Sequence, residues 1–453
     1  MMTQHLRRSR VTKALTDAGL AASFPDAEAR LDAVDACIVL GDEQAGTVAG
    51  QAAVLTAVAT AFKCFGRVSL AMSAPATPLR LDFPLGDTVA EAAATLGAVV
   101  MAEAPAAATH RILVGGHLTG QGWEVACWWD RWLSGLRTED AACGDSRLGL
   151  AGVFAGALAV RQIFATVLAG PSFIPRDTTL SLWEPWGGAA TYIGPTCFTA
   201  PNALWLLGLG HLGQGFVWNL LTLPYRGPCN AVLQDDQRIG LENEPTSLLV
   251  VEAGEHRRKV RVAASWLDAA GWDTRLIERR HQGDILPTKD DPPLLLSGLD
   301  DVKPRRILAG LGFDYMVDAG IGHGPGDFES LQIRVIPKGA PTERLWNAPP
   351  PPRGPGSLLA KAAYQTLESQ GEACGAYALA DSSVAVPFVG AATGALTIAQ
   401  AIRLATMEPA SALIQIGLAA PEMQIDGGQH PAIETSFGGE PMDLDASSDA
   451  LAA

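Results

Sequence analysis

The chain has 453 residues, of which 48% are hydrophobic and 18% charged, and 48 acidic against 33 basic side chains leave it at −15. This describes a globular protein of two to three domains with a large core, and it excludes nucleic acid as a general partner. Seven scattered cysteines read as reduced, mostly buried thiols, which sets the expectation of a cytoplasmic protein.

Residues 1–34 read as a basic, partly helical arm with Arg7, Arg8 and Arg10 near its start and no apolar stretch of the secretory type. A buried strand follows at 35–41, then a turn, an apolar helix at 46–65 and a second strand at 67–72. The turn holds Asp42 and Glu43 where a phosphate would sit, and the second strand ends in Met72 and Ser73 without an acid, so this unit is not expected to bind a nucleotide. Two long apolar segments, 88–108 and 148–170, contain Glu91, Glu103 and Arg161. Midspan charges make insertion costly, so both are expected to be buried helices and no membrane partner is expected.

The second half opens with the same grammar. An apolar run at 203–209 enters a turn with Gly208, Gly210 and Gly213, a helix-like run follows at 216–223, and a strand at 230–234 ends in Asp235 and Asp236. Glycines let backbone approach phosphate, a helix N-terminus offers N–H donors, and an acid ending the next strand can take ribose hydroxyls. Asp235 is the first choice for that acid and Asp236 its competitor. Asn243 and Lys259 follow, the lysine 24 positions after Asp235. One strand-end acid would suffice for a dehydrogenase; the added amide and cation suit phosphoryl chemistry better.

Farther on, an apolar run at 294–296 precedes Asp300, Asp301 and Arg305. A strand and glycine loop follow at 315–324, then a strand at 330–336. Four prolines at 349–352 read as a stiff, exposed linker. Ser357 is placed to cap a helix running to Gln370, and Cys374 lies in the loop beyond it. A strand at 384–390 leads into a helix at 391–405, and the acidic tail from about residue 430 is expected to be disordered. Residues 156–162 and 394–400 match closely, each in an apolar helix near the end of its half, which points to duplication.

The ordered series of glycine turn, Asp235, Asn243, Lys259 and the Asp300–Arg305 pair resembles the ThiF/MoeB and ubiquitin-activating enzyme superfamily over about 200–410. Within it the chain resembles the activating enzymes of bacterial ubiquitin-like conjugation operons of the Bil antiphage type. The resemblance implies an α/β fold of two Rossmann-like adenylation halves forming an intramolecular pseudo-dimer. The inactive half would span 35–185 and the active one 200–340 and 380–428, with a helical, cysteine-bearing insertion at 341–379 and a tail at 429–453.

It also implies ATP and Mg²⁺ as cofactors. Gly208, Gly210, Gly213, Asp235 or Asp236, Asn243, Lys259 and Arg305 would bind the nucleotide, and Asp300 would hold the metal. A ubiquitin-like protein would be adenylated at its C-terminal carboxylate, passed to Cys374 as a thioester, and handed to a conjugating-type enzyme. Cys229 is the runner-up nucleophile. Two departures stand out: the family's phosphate-binding arginine falls on Thr246, and the second acid of its strand-end motif falls on Gln237. The resemblance fills the first gap from the N-terminal arm, by Arg7, Arg8 or Arg10. With no Cys-x-x-Cys pair, no structural zinc is expected. The readings left open are an adenylating enzyme of a peptide or sulfur-carrier pathway without a thioester, and a non-catalytic nucleotide-binding scaffold.

Overall fold

The structure, a computed structural model, describes residues 8–170, 172–187, 192–251, 256–341, 345–346, 356–430 and 438–446, with side chains left out at 373 and 374. Strands that are apolar on both faces need cover on both sides, and the chain answers with two mixed α/β sheets.

The first sheet runs, edge to edge, Val99–Met101, Val68–Met72, Ala36–Leu40, His110–Val114, Trp123–Asp130, Leu133–Arg137 and Thr178–Ser181. The second runs Trp272–Ile277, Cys229–Gln234, Ala203–Leu207, Leu294–Ser297, Tyr315–Ile321, Ser330–Pro337, Leu413–Gly417 and Gln424–Asp426. In each the first five strands are parallel and the rest antiparallel, so the two halves share one strand order.

The repeat read from sequence has a packing reason. Residues 156–162 lie in the helix Gly149–Ala169 and residues 394–400 in Pro387–Ala405. A Cβ on Gly156 would stand 2.4 Å from the carbonyl oxygen of Ala53, and one on Gly394 the same 2.4 Å from that of Gly215. Each glycine lets the last helix of its half lie directly on the first, Val48–Phe65 or His211–Leu220. These four helices form the seam between the halves. Trp218 Nε1 donates to Thr56 Oγ1 at 2.9 Å, Phe164 meets Phe388 at 5.6 Å, and Arg161 pairs with Glu329 at 2.8 Å.

Val48–Phe65, Gly149–Ala169 and Pro387–Ala405 are long and apolar enough to cross a membrane, yet 83–100% of each apolar window is covered by the rest of the protein.

Several expectations are corrected. Residues 88–108 form the short capped helix Val89–Thr95 and the edge strand Val99–Met101, because the Gly97 turn at positive φ ends the helix early. The expected strand at 384–390 is absent, and its helix starts earlier, at Pro387, whose fixed φ suits a first helical turn. The helix expected from Ser357 to Gln370 is broken into Gly356–Leu359 and Ala362–Ser369. The helix Ala373–Asp381 then takes up the position of Cys374, which the sequence placed in a loop. The prolines at 349–352 lie outside the described residues. The tail is ordered where it pairs: Gln429–His430 joins Ala410–Ser411, and Glu440–Asp443 joins Cys197–Ala200. Glu440 also accepts from the amides of Arg226 and Gly227, at 2.7 and 3.0 Å, so its charge is satisfied by backbone donors.

Candidate functional site

The site is built on the strand Ala203–Leu207, the turn after it and the helix His211–Leu220. Gly208 sits at φ +85°, which a side chain would strain, and its carbonyl lies 2.1 Å from where a Cβ on Gly213 would be. The turn closes this tightly only without those side chains, and it leaves the first amides of the helix at the carboxyl end of the sheet. There the strand order reverses between Ala203–Leu207 and its two neighbours, the crevice where such sheets bind ligands.

Asp235 ends the neighbouring strand and is held, not loose. Its Oδ2 accepts from the Leu209 amide at 2.7 Å and its Oδ1 from the Gln237 amide at 2.7 Å. Burial pushes its carboxyl up, against Lys259 and those two amides. Asp236 points to solvent and lies 3.7 Å from Arg280. Of the two acids, Asp235 is the one bonded to the glycine turn.

Lys259 opens the helix Lys259–Ala269 and is only 6% exposed. Its Nζ donates to Gln237 Oε1 at 2.6 Å. Burial lowers the ammonium pKa, countered by Asp235, Glu242 and Asp300 and reinforced by Arg10. Gln237, which replaces the family's second acid, thus serves as the anchor of the lysine. Asn243 is spent on structure in part, its Oδ1 accepting from the Gly240 amide at 3.0 Å. Asp300 is exposed just before the helix Val302–Ala309, whose cap is its neighbour Asp301.

Arg305 is turned inward. Its Nε donates to the Leu299 carbonyl at 2.8 Å and Nη1 to Asp318 at 3.4 Å, and the residue is 8% exposed. The sequence assigned it to the nucleotide; the structure has it bracing the loop that carries Asp300. Asp318, 2% exposed, is the buried acid that draws the guanidinium inward.

Arg10 is the residue local sequence reading could only nominate. It sits in the helix Ser9–Thr16, where its Nε donates to the Ser383 carbonyl at 3.1 Å and its Nη2 to Ser383 Oγ. Burial lowers its pKa, while the charges of Asp300 and then Glu242 oppose that. Arg8 is committed elsewhere, to Glu28, Asp32 and the Cys64 carbonyl. Arg7 lies outside the described residues. Thr246 is 1% exposed, and its carbonyl accepts from His211 Nδ1 at 2.6 Å. That bond fixes the Nδ1–H tautomer, and burial pushes the imidazole down to about 4. Glu242 was missed altogether: an exposed acid in a polar loop has no sequence signal.

The corresponding turn of the first half is closed to a phosphate. Glu43 Oε1 accepts from the Gly116 amide at 3.1 Å, and Asp42 takes the Ser73 hydroxyl. By strand register Ser73 stands where Asp235 stands in the second half.

Of the cysteines, Cys37, Cys64 and Cys127 are buried as expected, whereas Cys197 is exposed because it begins the strand paired to the tail. Cys229 is the buried first residue of Cys229–Gln234, and burial with Glu440 nearby pushes its thiol up to about 12. Both its burial and the raised pKa hold Cys229 as the thiol, whereas the thiolate is the reactive form. The side chain of Cys374 lies outside the described residues.

Two family profiles match the chain, the BilD N-terminal domain over 35–182 and the BilD C-terminal domain over 200–408. The chain belongs to the BilD family. The Bacterial E1-like protein BilD of Collimonas sp. (strain OK412) is 32% identical over 425 residues, covering 88% of each chain. This BilD-family chain also matches E. coli MccB, at 12% identity and TM-score 0.36 over 53% of this chain and 66% of that one. E. coli tRNA N6-threonylcarbamoyladenosine dehydratase, TcdA, matches at 12% identity and TM-score 0.29, over 45% and 84%.

Proposed function

We propose that the second half adenylates the C-terminal carboxylate of a ubiquitin-like protein with ATP, and that Cys374 then takes the acyl group as a thioester for a conjugating-type enzyme. One observation carries the reading: Arg10, anchored on Ser383 more than 370 positions away, is held where its charge acts on Asp300, Glu242 and Lys259. A scaffold that only bound nucleotide would have no use for a second cation imported from the other end of the chain.

In this reading the ribose hydroxyls donate to Asp235, and phosphate oxygens accept from the first amides of His211–Leu220 and from Lys259. The substrate carboxylate attacks the α-phosphorus; the bond to the β-phosphate oxygen breaks and pyrophosphate leaves. Arg10 and Lys259 offset the charge that grows on the departing group. Mg²⁺ fits the donor set, since it keeps several waters and takes one or two carboxylates besides phosphate; Asp300 would hold it, and it would neutralise phosphate charge. The Cys374 thiolate next attacks the acyl carbon, the carbon–oxygen bond to AMP breaks, and the thioester remains. The halves then act as a pseudo-dimer, with the nucleotide site in the second alone.

ATP–pyrophosphate exchange dependent on the ubiquitin-like partner tests this. Asp300→Ala, at an exposed position, is expected to abolish exchange with the melting temperature unchanged. Normal exchange in that variant overturns the site assignment.

A further inference from the structure

The helix Ser9–Thr16 carries a second constellation one turn beyond Arg10. Lys13 is fully buried, and its Nζ donates to Tyr364 Oη at 2.8 Å and lies 2.8 Å from Asp17 Oδ2. Tyr364, also fully buried, donates its hydroxyl hydrogen to Asp17 Oδ1 at 2.5 Å, which closes a triangle. Lys361 adds a bond from its Nζ to the Asp17 carbonyl, and the Tyr364 ring stands edge-on to Phe24 at 5.5 Å.

These contacts tie the segment 356–381 to the helix Ser9–Thr16 and the residue that follows it, through Lys361 and Tyr364. Its apolar residues do not join the main core. Ala363, Tyr364, Leu367, Ala376 and Ala380 form a separate small cluster with Phe24. That cluster would be as stable with an apolar trio in place of Lys13, Asp17 and Tyr364, because taking a lysine and an aspartate out of water costs several kcal/mol that their attraction barely returns. What the trio adds is register, since an apolar contact slides and a three-membered bonded ring does not. Immediately after the segment, Ser383 is bonded to Arg10, and the Ala385 amide donates to the Arg10 carbonyl at 3.2 Å. One eight-residue helix therefore touches both the nucleotide site and the cysteine-bearing segment.

We propose that Lys13, Asp17 and Tyr364 are positioning residues that lock the 356–381 segment to the helix bearing Arg10, so that filling the nucleotide site is transmitted to the helix Ala373–Asp381. The transmission rests on the adenylation reading; the lock itself does not.

Hydrogen–deuterium exchange on the full chain tests both, with wild type and Tyr364→Phe, alone and with a non-hydrolysable ATP analogue and Mg²⁺. The variant keeps the ring on Phe24 and the Lys13–Asp17 pair, so it is expected to fold. Without nucleotide, amides at 356–381 should exchange about ten- to a hundredfold faster in the variant, roughly the loss of the two buried hydrogen bonds of the Tyr364 hydroxyl, and those at 208–220 should not change. With the analogue, wild type should gain protection at both 208–220 and 356–381, and the variant at 208–220 only. Equal exchange at 356–381 in the two nucleotide-free proteins overturns the lock. Equal protection of 356–381 by the analogue in both proteins overturns the transmission. If the analogue protects nothing at 208–220 in wild type, the adenylation reading fails, and the nucleotide-free comparison still decides the lock.

Discussion

Replacing Arg10 by alanine separates a catalytic cation from a structural one. Two of its bonds go to Ser383, and losing hydrogen bonds from a charged group costs on the order of 1.5–3 kcal/mol. For a chain of this size that lowers the melting temperature by only a few degrees. The functional loss is expected to be larger. A single positioned donor on a developing charge is worth about 2.7–4 kcal/mol, a hundred- to thousandfold in rate. Partner-dependent ATP–pyrophosphate exchange should fall by that factor, in kcat more than in the ATP KM, because the guanidinium acts on charge that grows in the transition state. Arg10→Lys should recover only part, since an ammonium cannot hold Ser383 by two nitrogens and still face the phosphates. The reasoning is refuted if Arg10→Ala exchanges within about threefold of wild type while its melting temperature falls; Arg10 would then be a strut.

Two further outcomes follow from the cysteines and the histidine. Cys374→Ala should keep exchange and lose the reducible adduct with the ubiquitin-like partner on non-reducing gels, while Cys229→Ala and Cys197→Ala keep both; an adduct surviving in Cys374→Ala places the nucleophile elsewhere. His211 is neutral when folded, with a pKa near 4 against about 6.5 unfolded, so the unfolded chain binds the extra proton between those values. Stability should therefore drop as pH falls from about 6.5 towards 4, and His211→Gln should flatten that part of the curve in urea titrations. An identical slope in wild type and variant would show that another group carries it.

The turn of Gly208 and Gly213, the strand-end Asp235 and the order of Asn243, Lys259 and Asp300 were legible because each is local: a continuous apolar run, a turn that needs glycine, an acid one residue past a strand. The duplication was legible for a related reason, since the close approach of two helices admits only glycine at 156 and 394 and so prints the same residues twice. The reach of individual side chains was not legible. Asp300 precedes the helix Val302–Ala309 and Arg305 lies in it, yet one faces solvent and the other the core, because only the fold puts the buried Asp318 within reach of the arginine. Cys229 and Cys197 each begin a strand, yet one is buried and the other exposed, a difference set by what packs on each strand end and not by local pattern. Part of the tail that composition marked as disordered is ordered because an open strand edge offers it backbone partners at 197–200. Sequence by itself determined that both halves open with one strand–turn–helix–strand grammar and which of them ends its second strand in an acid. Only the tertiary structure decided which described arginine of the arm reaches Ser383, because no local pattern records a contact made across that distance.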